Sequence, residues 1–128
     1  MAYYHAKQVK YSFDEAIEKT ISALKKEGFG VLTDIDVKAT MKKKLDVDFR
    51  NYRILGACNP KMAHKALQEE DKIGTMLPCN VIVQELENGT VEVAAIDPPS
   101  SMMAVENEKL QTVAKQVSEM LITVVQNI

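Results

Sequence analysis

The chain has 128 residues with a formal net charge of −2, 46% hydrophobic residues, no tryptophan and two cysteines. That length suits a single domain spanning 1–128 with an ordinary apolar core and no need of disulfide staples. The slight acidity offers no footprint for nucleic acid, and no apolar stretch approaches the ~20 residues of a membrane span. Because Met1-Ala2-Tyr3-Tyr4-His5 lacks the apolar run of a signal peptide, a cytoplasmic location is expected, where two cysteines stay reduced except in a transient disulfide.

Tyr3 to Lys10 reads as a first strand. Ser12 and Glu15 have capping-box spacing, and Phe13, Ala16, Ile17, Ile21 and Leu24 recur at helical steps, so a helix is expected to about Glu27. Gly28 then closes it in a left-handed conformation, with Phe29 folding back onto Leu24. A second strand, Val31 to Val37, alternates Val31, Thr33, Ile35 and Val37 against Leu32, Asp34 and Asp36. Ala39 to Leu45 suggests a short helical turn with Met41 and Leu45 inward and three solvated lysines, Lys42 to Lys44, outward.

Strand three covers Tyr52 to Cys58. Asn59 is a good N-cap, and Pro60 suits the first helical position, so a helix reaches to about Glu70 and buries Met62, Ala63, Ala66 and Leu67. Strands four (Asn80 to Leu86) and five (Thr90 to Asp97) flank Asn88-Gly89, the signal of a type I′ hairpin. Asp97-Pro98-Pro99-Ser100 interrupts the chain. From an Asn107 cap, Leu110, Val113, Ala114, Val117, Leu121 and Val124 then mark a long final helix. The element order gives an α+β fold, a mainly antiparallel sheet packed against long helices.

Chemistry concentrates at Gly56-Ala57-Cys58-Asn59-Pro60 and Leu77-Pro78-Cys79-Asn80. Cys58 ends a strand one residue before a helix cap, where unpaired amides favour a thiolate if the sulfur points toward them. Gly56 leaves a gap on its face for a ligand or another backbone. If strands three and four are neighbours, Cys79 meets Cys58 at one end of the sheet. The candidate ligand-binding set is therefore Cys58, Asn59, Gly56, Cys79 and Asn80, and Cys58 is the candidate catalytic nucleophile. Candidate metal ligands are Cys58, Cys79 and His64, although two thiols supply only half of a tetrahedral zinc shell. Met62 and Met76 near the thiols bring a soft ion such as Cu(I) into consideration, while methionines at helical spacing ordinarily pack a core. His64 or His5 is formally available as a base for Cys58, and Asp34, Asp36 and Asp97 supply carboxylates.

Further along the same residues a resemblance is visible. Gly28-Phe29-Gly30-Val31-Leu32, Ile35-Asp36-Val37-Lys38, Tyr52-Arg53-Ile54-Leu55-Gly56-Ala57-Cys58-Asn59-Pro60, Ala63-His64-Lys65-Ala66-Leu67, Leu77-Pro78-Cys79-Asn80-Val81 and Asp97-Pro98 together resemble the uncharacterised bacterial and archaeal domain of unknown function family 302. For the fold, the resemblance implies a TATA-box-binding-protein-like β-α-β4-α arrangement with an inserted helix between strands three and four, and it makes a homodimer plausible. It implies no DNA binding and names no cofactor.

Three functions follow. The first is a cytoplasmic module that binds or senses a small ligand, a metal ion or a sulfur species through Cys58 and Cys79. The others are a thiol-dependent enzyme with Cys58 as nucleophile, and a structural dimerising domain whose cysteines are buried and inert. The expected partners are a second copy of the chain and a small molecule or metal ion, with neither nucleic acid nor membrane.

Overall fold

A computed structural model describes residues 2–128. Five strands, β1 (Tyr4–Val9), β2 (Gly30–Asp36), β3 (Tyr52–Cys58), β4 (Cys79–Glu85) and β5 (Val91–Ile96), form one antiparallel sheet in the order β1-β5-β4-β3-β2. The helices are α1 (Phe13–Lys26), α2 (Val37–Leu45), α3 (Pro60–Glu69), α4 (Pro98–Ser101) and α5 (Glu108–Gln126), with a 3-10 segment at Asp71–Met76. The mixed α+β class and antiparallel sheet are as the sequence predicts, with the inserted α3 between β3 and β4.

Local signals account for the helix ends. Ser12 caps α1 by accepting from the Glu15 amide at 3.2 Å. At its other end the Phe29 amide donates to Leu24 and the Gly28 amide to Lys25, with Gly28 at φ +83°, a conformation that suits glycine. Asn107 caps α5 through the Leu110 amide, while its amide nitrogen donates to the Glu69 carbonyl and ties α5 to the end of α3.

Packing follows from strand parity, since directly paired residues share a face. The rows Val31-Ala57-Cys79, Leu55-Val81-Ala95 and Val83-Val93 lie on the face that α1 and α5 cover, where Leu55, Val81, Val83, Val93 and Ala95 are fully buried. The other face carries no long helix. Across it runs the row Ile35-Ile54-Ile82-Ala94-Ala6, one residue from each strand. A polar row, Tyr52-Gln84-Glu92-Gln8, runs beside it, tied by a 2.8 Å bond from Gln84 to Glu92.

Several local expectations change. Ile21 is 37% exposed and so leaves the core stripe of α1, and Val37 opens α2 instead of closing β2. Thr33 pairs with Gly56 although Val31 pairs with Ala57, so β2 contains a bulge at Leu32, and Val31 faces away from Thr33 and Ile35. Leu45 is 66% exposed and no residue of α2 is buried, because this helix lies at the sheet's edge on β2 and β3. Leu67 is 43% exposed and so is not part of the core stripe of α3. In the β4–β5 turn Gly89 sits at φ +83° and its amide donates to Leu86. Only one positive φ is required there, so Asn88 does not adopt the type I′ conformation.

Candidate functional site

Antiparallel pairing of β3 with β4 sets Cys79 opposite Ala57, next in the chain to Cys58, at one end of the sheet. Cys58 pairs with Gly30 across to β2 and is the last residue before the chain turns into α3. Asn59 makes that turn. Its side-chain oxygen accepts from the Met62 amide at 3.3 Å, and its amide nitrogen donates to the Glu27 carbonyl at 3.3 Å, so one side chain joins the start of α3 to the end of α1.

Both cysteines are free and half-buried, and both line a cavity of about 300 Å³ between the sheet end, α3 and α5. Ala57 and the cis Leu77-Pro78 pair contribute from the sheet side. Met62, Ala63 and Ala66 contribute from α3, and Leu110, Val113, Ala114 and Val117 from α5. Leu32 and Leu67, the two lining residues that are also well exposed, mark the opening; the bulge places Leu32 there. Burial pushes the Cys79 thiol up to about 11, and the neighbouring Cys58 adds to that by like-charge repulsion. Cys79 is therefore a neutral thiol at pH 7.

The other candidates lie elsewhere. Gly56 and Asn80 pair with each other on the open face, and Asn80 is exposed. A β-carbon on Gly56 would overlap the Thr33 hydroxyl and come within 2.8 Å of the Pro78 ring, so the space beside this glycine is filled by its own fold. His64 sits on the exposed side of α3 and does not line the cavity. Among the described residues, no group of three or more His, Cys, Asp and Glu side chains is placed to hold a metal ion. Asp34 and Asp36 flank Arg53. Arg53 donates to both oxygens of Asp34 at 2.8 Å, and this hydrogen bonding holds the Asp34 carboxyl below its usual range.

A second polar constellation escaped the sequence reading. Asp97 accepts from the Ser118 and Ser100 hydroxyls, each at 2.6 Å, and lies 3.1 Å from His5 Nε2. Burial alone would raise its pKa, but the two hydroxyls and His5 outweigh that and hold it below the ordinary 3.8. Ser, His and Asp meet here without forming a nucleophilic triad. Ser118 donates to the carboxylate, and the same imidazole nitrogen faces both partners, whereas a triad needs one nitrogen for each. Asp97-Pro98 marked a break in the chain, but nothing local linked Asp97 to residues 5 and 118. For the cavity a faint signal existed in the alanines that α3 and α5 turn toward each other, Ala63, Ala66 and Ala114.

These features define an α+β protein with a half-open sheet and an apolar, two-thiol cavity at one sheet end. The family model described as "Domain of unknown function DUF302" matches residues 5–128, and the chain belongs to that family. It is also similar to the crystal structure of an uncharacterised conserved DUF302 protein from Bacillus stearothermophilus, at 29% identity and a TM-score of 0.92, over 99% of this chain and 98% of that one. No curated protein matches the chain. Among the described residues no helix is long and apolar enough to cross a membrane.

Proposed function

We propose that this protein is a small-ligand binding module of the cytoplasm whose site is the cavity walled by Cys58 and Cys79. The observation that carries the reading is the cavity itself. At about 300 Å³ it reaches the size range of ligand sites, and it adjoins both thiols. An enzymatic role for Cys58 has less support, because His64 points to solvent and His5 is engaged by Asp97. Calorimetric titration with n-butylbenzene tests the reading. One-to-one binding is expected, weakened at least tenfold in Ala114→Phe, which places a ring inside the cavity, and also weakened in the milder Ala63→Leu. Absence of binding to the unmodified protein would overturn it.

A second reading, compatible with the first, is that two copies pair through the open sheet face. The Ile35-Ile54-Ile82-Ala94-Ala6 row favours it, as an apolar centre beside a polar row, the anatomy of a protein interface. Five strands ~4.8 Å apart and ~20 Å long present on the order of 500 Å². Two such faces total about 1,000 Å², the lower bound for a stable contact. Sedimentation of the wild type and of Ile82→Lys is the check: a dimer that becomes a monomer is expected, and a monomeric wild type at 100-fold differing concentrations would sink the idea.

A further inference from the structure

Resting on the cavity reading, we infer that the ligand is an uncharged, largely apolar small molecule of about 12 non-hydrogen atoms, with at most one weakly polar group directed at the two thiols. The size comes from volume: a dry 150 Å³ cavity holds benzene, so one of about 300 Å³ holds roughly twice as many heavy atoms.

Exclusion of charge comes from the wall. Among the described residues no lysine, arginine, histidine, aspartate or glutamate lines the cavity. Asn59 is the one amide side chain there, and each end of it is already tied to the fold, its oxygen by the Met62 amide and its nitrogen by the Glu27 carbonyl. A carboxylate or ammonium entering this space would lose its hydration and find no partner for its charge. The remaining lining residues with a side-chain heteroatom carry sulfur: Cys58 and Cys79 as thiols, Met62 and Met102 as thioethers. With a pKa of about 11, the Cys79 thiol keeps its proton at pH 7 and presents a weak S–H donor, matched to a hydroxyl, carbonyl or ester oxygen. Leu32 and Leu67 at the opening extend the same preference to the path of entry.

The test compares matched chains on the full-length protein at pH 7.5 by calorimetry: 1-octanol, octanoate and octylammonium. Octanol is expected to bind one to one, with both ions at least about 100-fold weaker. Along a series of 1-alkanols, affinity should rise about fourfold per methylene and level off near 12 heavy atoms, where the cavity is full. Bound octanol should also slow alkylation of Cys79 severalfold, and octanoate should not. Ions binding as well as the alcohol would overturn the inference while leaving the cavity reading intact. Failure of the alcohols and of n-butylbenzene alike would remove both.

Discussion

The Asp97 cluster and the cysteine cavity both bring distant segments together, and they do so in opposite ways. At Asp97, β1, the turn after β5 and α5 converge, and both carboxylate oxygens have partners within 3.1 Å. At the cavity, β3, β4, α3 and α5 converge and leave space, with a polar lining that is small and weak. Three neighbours of the same chain already hold the Asp97 carboxylate, so the effect of this cluster is on stability. An unfilled apolar space costs stability and gains the capacity to bind. The histidine, serine and aspartate that look most like catalytic machinery are therefore the least suited to that role.

The strongest way to break this contrast is Asp97→Asn. The change removes a charge that three groups solvate in a site only 14% exposed and leaves an amide hydrogen facing a donor, so a loss of about 2–4 kcal/mol is expected in urea unfolding, with ligand binding unchanged at temperatures where the variant is folded. Its pH signature has a definite sign. Because the folded pKa lies below the ordinary 3.8, the contribution is fully present above 3.8 and is lost as pH falls through the folded value. The wild type should therefore lose stability below pH 4 relative to Asp97→Asn, and parallel pH curves would refute the assignment.

Cys79 should show the mirror image in alkali. Its thiol is raised from 9.0 to about 11, so the folded state resists ionisation. The corresponding stability is present below pH 9 and is lost as pH rises through 11, by about 2–3 kcal/mol. Subtracting the Cys79→Ala curve removes the lysines and tyrosines that titrate in the same range. Alkylation of the native protein at pH 7 should likewise modify Cys79 slowly but measurably, and modification of Cys79 at the rate of a free thiol would contradict its burial.

A smaller effect is expected at Asn59. Asn59→Ala deletes the α3 cap and the bond to the Glu27 carbonyl, for a loss of about 1–2 kcal/mol in denaturant. This residue also shows how much was legible in the sequence. Asn59-Pro60, Ser12 with Glu15, Gly28 and Asn107 act within a few residues of themselves, and the structure uses them as local rules dictate, except that the Glu15 carboxylate takes the Ser12 hydroxyl rather than the Ser12 amide of a full capping box. That both cysteines lie at the same end of the sheet was legible once β3 and β4 were taken as neighbours. The bulge at Leu32 was not, because it arises from a mismatch between two strands, and it reversed the faces on either side of it. Gly56 read as an opening for a ligand because parity cannot show that Thr33 and Pro78 fill the space beside it. The cavity and the Asp97 cluster each need contacts between segments far apart in the chain, which no window of sequence contains.

The smallest expected effect is the most discriminating. Ala114 and Ala23 are both buried alanines on long helices, but Ala114 lines the cavity and Ala23 sits in closed core. Leucine has nearly the helix propensity of alanine, so the same substitution at each position isolates the space available to the added atoms. Ala23→Leu forces atoms into close packing and should cost about 1–3 kcal/mol. Ala114→Leu places them in empty volume, where new contacts offset strain, so a change within about 1 kcal/mol is expected. Its equilibrium unfolding should be nearly that of the wild type while n-butylbenzene affinity falls. Equal destabilisation at the two positions would mean that the cavity walls are as closed as the core, and would leave the two thiols with nothing to bind beside them.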